Sequence, residues 1–388
     1  MYLQNQPTKM VPELAAKLSY LNPMPESMSD QDKIDLTQAG MGQALWDHSQ
    51  KHGTSSLVYH NLKYHNQLDR LPDVIATAFQ KSYYRTLANN LANRELLPEL
   101  SSAFGDTPII LLKGLVLINT VYQNPALRPM TDIDLLVHPA DLPKIRQQLL
   151  DLSFNPAPNY PDVFLRDNAQ IDLHIHPFNI DRIQARDVAT PLDRVEMWQH
   201  AQPFPDFPQF KQLDLPYQIL TLAVHALKHG FERDIWLIDI LGTLNHASTQ
   251  PDWKKVIECS QNANADGILA YTIHAIQNRL QAPVLAPIEN LQKSFPIGPI
   301  RRKILKVGNP SGDFQLLEPL VLMMATHGLL AKIRCLTEFI FPREAVLTQI
   351  SGLSGKWMFY ASYPLRVIQI VVRGSIQAMR LIKCLIFR

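Results

Sequence analysis

Two aspartates, Asp132 and Asp134, stand two apart in the run TDIDLLVHP, and a third, Asp172, follows in AQIDLHIHPF. Both runs read as strands, and on a strand residues i and i+2 share a face. Asp132 and Asp134 therefore project the same way as adjacent anions. Like charges so close are costly unless a cation neutralises them, and a hard divalent ion such as magnesium suits carboxylate oxygens. If the strand carrying Asp172 lies beside the first, three carboxylates converge at one edge, the arrangement of a two-metal phosphoryl-transfer site. A D-x-D pair also occurs as a solvated strand end, so its surroundings decide the reading.

Upstream, Lys113 and Gly114 close the apolar run PIILLKG and open a helix, where free backbone N–H groups and the helix dipole favour a triphosphate. Arg128, stiffened by Pro129, stands just before the acidic strand, where a guanidinium can grip phosphate oxygens. A rival reading takes Asp172, His174 and His176 as the D-x-H-x-H strand of a metal-dependent hydrolase. Such barrels need further ligands on later strands, whereas the later histidines here fall on helices. His225 and His229, four apart, share a helix face within reach of Asp239, and either line an acceptor pocket or pack between helices. Lys228 and Arg233 read as phosphate contacts or as a solvated face, and Trp236 as core.

The elements around these residues follow from periodicity. Residues 1–82 show helical spacing, and YYRTLANNLANRELLPELSSAF reads as one long helix ending at Gly105-Asp106. Then come a strand (PIILL), a short helix (LVLINTVYQNP), the D-x-D strand, a helix from Pro139 with Asp141 as cap, a proline-rich loop, and the Asp172 strand. This order predicts an α+β core with helices packed on a small mixed sheet. A proline-studded loop, QPFPDFPQF, leads to helices over YQILTLAVHALKHG, DIWLIDILGTLNHA, 253–281 and 315–341. The expected organisation is a helical region 1–82, the α/β core 83–200, a helical domain 201–345 and a basic tail 346–388.

The run LLKGLVLINTVYQNPALRPMTDIDLLVHPADLPKIRQQLLDLSF, with the later IDLH and HALKHGFERDIWLIDILGTL, resembles the uncharacterised nucleotidyltransferase family of the polymerase β superfamily. The matching positions are Lys113, Gly114, Tyr122, Arg128, Pro129, Asp132, Asp134, Asp172 and His174, then His225, His229, Trp236 and Asp239. The wider superfamily's usual glycine–serine pair is Lys113-Gly114 here. The resemblance implies a polymerase β-like core that moves a nucleotidyl group from a nucleoside triphosphate such as ATP to an unidentified hydroxyl acceptor. It implies two magnesium ions on Asp132 and Asp134, with Asp172 acting near the acceptor by metal ligation or as base, a triphosphate at Lys113, Gly114 and Arg128, and substrate contacts from His174, His225 and His229. A nucleotide-binding module without turnover is the non-enzymatic alternative.

Composition bounds the rest. With 388 residues, 46% hydrophobic and 19% charged, the chain has ample material for globular units, and its net charge of +2 carries no strong nucleic-acid signal. The charge is uneven: residues 346–388 hold six Lys and Arg and no Asp or Glu, leaving 31 cationic against 35 acidic residues in the remainder. Arg366, Arg373 and Arg380 recur every seven residues with Lys383 near the same stripe, as in a cationic amphipathic helix lying on an anionic membrane or packed on the body with its arginines outward. The start lacks the layout of a secretory signal and no apolar stretch reaches a membrane span, so the expected location is cytoplasmic, with peripheral membrane contact as one role of the tail. Cys259, Cys335 and Cys384 are too scattered for a disulfide framework or a paired-cysteine zinc site.

Overall fold

The computed structural model describes residues 40–158, 160–178, 189–245, 252–281 and 326–343, with scattered positions elsewhere. The basic stripe at Arg366, Arg373, Arg380 and Lys383 lies outside the described residues, as does most of 1–39. Seven strands build one mixed sheet: β1 (Ile109–Leu112), β2 (Ile133–Val137), β3 (Asn155–Ala157), β4 (Tyr160–Arg166), β5 (Ala169–His174), β6 (Gln202–Phe204) and β7 (Phe207–Gln212). Their order is β3-β4-β5-β2-β1-β7-β6. β2 runs antiparallel to β1 and parallel to β5, and β1 runs parallel to β7.

Strand alternation divides the core into two layers. Ile109, Leu111, Ile133, Leu135, Ile171 and Leu173 point to one face, where they pack with Leu100 and Phe104 of α4 (Leu97–Phe104) and Ile145 and Leu149 of α6 (Leu142–Asp151). Ile110, Leu112 and Leu136 point to the other, against Met197 of α7 (Arg194–His200) and Tyr217 of α8 (Leu215–Lys228). Asp134 and Asp172 carry the parity of that second face. Beside the sheet, α8 joins α9 (Asp234–Asn245), α10 (Trp253–Asn262) and α11 (Asp266–Arg279) around a second apolar core. A third core forms among α1 (Met41–His52), α2 (Ser55–Tyr64) and α3 (Asp73–Glu95). A last helix, α12, spans Leu329–Ile340, and α5 is the short turn Gly114–Leu117, which continues as a π-helical turn to Tyr122.

Several expectations change. The single helix over 83–104 is two, α3 and α4, parted at Leu96. Pro98 cannot donate to the Arg94 carbonyl and its ring would collide with it, so a new helix starts there. Both proline-rich loops are strands. QPFPDFPQF folds as the β6–β7 hairpin because Phe204 and Phe210 alternate inward and are fully buried, each contributing about 1.5–3 kcal/mol, while Pro203 sits on an edge strand that tolerates a missing donor. The segment after α6 likewise forms β3 and β4, again at an edge. Asp141 stands at the N-cap of α6, but its side chain makes no capping bond.

The first helices are pinned to the bundle by a buried polar knot. Asp234, in the first turn of α9, is ion-paired to Arg279 of α11 and lies 3.6 Å from His48 and 3.3 Å from His52 of α1. The two imidazoles stack with centroids 4.2 Å apart, and Arg279 also approaches His52 Nδ1 at 3.4 Å. His48, His52 and Asp234 offer metal-type donor atoms within 4.8 Å of one another, but Arg279 already neutralises the carboxylate. Burial pushes the His52 pKa down to about 4; Asp234 opposes that shift, while His48, Arg279 and Lys51 add to it.

An imidazole kept neutral in the fold but free to charge when unfolded gives the unfolded state the extra proton between those two pKa values. Stability is then complete above about pH 6.5 and declines as pH falls toward 4, by on the order of 3 kcal/mol for His52. His176, lowered to about 4 first by burial and then by Arg194, acts in the same window. Denaturant unfolding at pH 7 and pH 4.5 should therefore show a smaller acid-induced loss for His52→Gln than for wild type. An identical loss in both would refute the assignment.

Candidate active site

The acidic cluster is set by register. β2 and β5 run parallel with Asp134 directly opposite Asp172, and β1 runs antiparallel on the other side with Leu112 opposite Asp134. Asp132 precedes β2 by one residue, half-buried, and its carboxylate accepts a 3.0 Å hydrogen bond from Thr131. His174, two residues beyond Asp172 on the same face, sets Nε2 2.7 Å from Asp134 Oδ1 and 3.4 Å from Asp172 Oδ2. Lys113 donates from Nζ to Asp134 Oδ1 at 2.6 Å.

The protonation balance follows from these contacts. Burial pushes the Asp134 carboxyl up, but Lys113 and His174 outweigh it and hold its pKa well below the carboxylate range. Burial raises Asp172 and Asp132, in both cases with the Asp134 charge adding to the rise. Burial works against the Lys113 charge, yet Asp134, Asp132 and Asp172 together lift its pKa above the usual lysine value. The ammonium is locked on.

Lys113 reaches Asp134 through an unusual backbone. β1 ends at Leu112, and Lys113 has φ 50° and ψ −116°, a conformation that favours glycine and costs a side-chain-bearing residue about 1–3 kcal/mol. The turn directs its side chain to the acidic face. Gly114 has a different reason to be glycine: a Cβ there would meet Arg128 Nη1 at 2.7 Å and Met130 Sδ at 2.8 Å.

Arg128 is deployed structurally. It is 8% exposed, its Nε and Nη2 bind Asp239 of α9 at 3.1 and 2.9 Å, and Nη1 donates to the Pro129 carbonyl. Tyr122 Oη donates to the same carboxylate at 2.7 Å. From α3, Asn90 Nδ2 lies 2.6 Å from the Pro125 carbonyl and 2.7 Å from that of Arg128. The loop entering the D-x-D strand is therefore clamped from two helices. Asp239, expected near His225 and His229, serves this clamp instead.

The second face of the sheet looks onto α8. Burial, then Lys113 and His229, push the His225 pKa well below the usual histidine value, and Lys228 acts on Asp172, so the C-terminal half of α8 overlooks the acidic cluster. His225, His229 and Trp236 form one ring cluster with centroids 4.8–5.2 Å apart, and Arg233 lies over Trp236 at 5.7 Å. His174 is only 2% exposed, with its ring turned onto Asp134 and Asp172. His176 Nδ1 accepts the Phe178 amide at 3.1 Å, and the described donors that cluster tightly enough for a metal are Asp134, Asp172 and His174, without His176. The sheet is open rather than a barrel, and of the D-x-H-x-H set only Asp172 and His174 are brought together. Sequence reasoning passed over Asn90 and Thr221, the latter a buried hydroxyl with no hydrogen-bond partner in the cleft between Lys113 and α8. Neither residue type carries a sequence signal for such a role.

The clamp is testable by stability. Asp239→Asn leaves the Arg128 charge buried with a weaker partner and should cost about 3–5 kcal/mol in denaturant unfolding, whereas the double replacement Arg128→Met with Asp239→Leu should recover most of that loss. A midpoint for Asp239→Asn equal to wild type would rule the clamp out.

No curated protein and no solved structure matches the chain. The profile of a protein family described as uncharacterised nucleotidyltransferase matches residues 42–281. That stretch takes in all but the first residue of α1, then α2 to α11, the whole sheet and every residue of the acidic cluster. The chain belongs to the uncharacterised nucleotidyltransferase family.

Proposed function

We infer that the protein is a metal-dependent nucleotidyltransferase with a polymerase β-like core, moving a nucleotidyl group from a nucleoside triphosphate to a hydroxyl acceptor. The observation that carries this reading is the pairing of Asp134 with Asp172 on adjacent parallel strands, Asp132 two residues upstream, and a lysine ammonium 2.6 Å from the central carboxylate. The donor set fits a hard divalent cation: carboxylate oxygens on one sheet face carry more negative charge than the single ammonium offsets. Asp132, Asp134 and Asp172 would hold magnesium, which when bound supplies charge neutralisation on the triphosphate and makes the acceptor hydroxyl more acidic.

The chain's own groups account for the rest. The acceptor oxygen bonds to the α-phosphorus, the bond to the pyrophosphate oxygen breaks, and pyrophosphate leaves. Asp172, whose pKa burial raises from its ordinary value, is suited to take the acceptor proton. Lys113 guards the cluster against its own repulsion and supplies a permanent positive charge beside the triphosphate. Lys228 and His225 on α8, with His229 at its C-cap, form the opposite wall, where the acceptor binds. Arg128 acts by holding the loop before β2 rather than by touching phosphate.

Incubation of the purified protein with each α-labelled triphosphate, magnesium and a panel of hydroxyl acceptors tests the reading. Label transfer and pyrophosphate release should fall by about a hundredfold or more in Asp132→Ala and Asp134→Ala while the fold persists. Triphosphate binding without carboxylate-dependent transfer across the panel would mark a binding module and overturn the enzyme reading.

A further inference from the structure

Helix α12 is amphipathic the wrong way round for a helix packed on a core. At about 100° per residue, Leu329, Ile333, Leu336 and Ile340 fall within an arc of about 60°, and Leu330 widens it to about 120°. Four of these apolar residues are exposed, from 41% at Leu336 and 50% at Ile333 to 64% at Leu330 and 74% at Leu329. The buried residue of the helix, Cys335, lies on the opposite side. The apolar stripe therefore faces outward, and it continues past the helix in Phe341, which is 50% exposed.

Cations frame this stripe. Lys332 lies about 40° beyond one margin of the apolar arc and Arg334 about 40° beyond the other. From residue 329 to the C-terminus the sequence holds nine Lys and Arg against two Glu. Farther along, Ile368, Val371 and Val372 are again exposed apolar residues. Exposed apolar residues edged by cations match an anionic lipid surface, where acyl chains take the stripe and headgroups pair with the rim. A second copy of the same face would instead bring like charges together. Twelve residues span about 18 Å, short of the roughly 30 Å of a bilayer core, and among the described residues no helix is long and apolar enough to cross a membrane.

We propose that α12, with Lys332 and Arg334 at its margins, lies in the plane of an anionic bilayer and docks the protein there. The full chain is tested by co-sedimentation with mixed phosphatidylglycerol–phosphatidylcholine vesicles and with pure phosphatidylcholine vesicles, at low and high salt. Binding is expected to the anionic vesicles, to weaken with salt, and to fall about tenfold or more both in the triple replacement Leu329→Ser, Ile333→Ser, Leu336→Ser and in Lys332→Glu with Arg334→Glu. Because the triple variant alters three side chains at once, Ile333→Trp provides an independent check: an indole at a docked face should tighten binding severalfold. Failure to pellet with anionic vesicles, pelleting indifferent to the apolar replacements, equal pelleting with neutral vesicles, or a dimer in light scattering that the triple variant dissolves would each overturn the proposal.

Discussion

Two carboxylates placed side by side by the sheet itself govern the local structure. Parallel pairing of β2 and β5 sets Asp134 opposite Asp172, and their backbones cannot be drawn apart without breaking the ladder. Everything nearby answers that repulsion. A lysine is carried onto the face by a strained turn, a buried histidine lies between the two anions, and α8 adds Lys228 to the field they feel. The proposed metal reading rests on this same pairing.

Helix α9 joins this site to the remainder of the chain. It is largely apolar and buried, yet it carries Asp234 and Asp239 into the interior, and each is neutralised by an arginine from elsewhere: Arg279 from α11 and Arg128 from the loop before β2. The first pairing ties α1 to the bundle; the second fixes the approach to the D-x-D strand. Such pairs add little net stability, because desolvation offsets most of their attraction, but losing one member is costly, so they specify geometry more than they strengthen the fold.

The order strand, short helix, acidic strand, helix, acidic strand was legible because alternation and D-x-D spacing are local signals, and α8 and α9 because their apolar repeats are long. β3, β4, β6 and β7 were not. Their prolines read as loop when taken locally, and only burial of residues such as Phe204 and Phe210 against distant elements makes strands of them. The role of Arg128 was hidden for a related reason: its partner is 111 residues away, and an arginine before an acidic strand looks the same whether it awaits a phosphate or an interior aspartate. At the site, the three carboxylates and Lys113 could be named from spacing, while the reach of Lys113 across the sheet depends on a dihedral angle that no motif spells out.

That dihedral sets conformational stability against charge at one position. Glycine would relax the backbone at Lys113, so a search for a sturdier protein would be drawn to this position and would return a chain with Asp134 and Asp172 left facing each other without their ammonium. Gly114 next to it has no such freedom, since Arg128 and Met130 already fill the space a side chain would need. The two adjacent residues thus have opposite tolerances: the glycine is demanded by packing, and the lysine is retained against the backbone's preference.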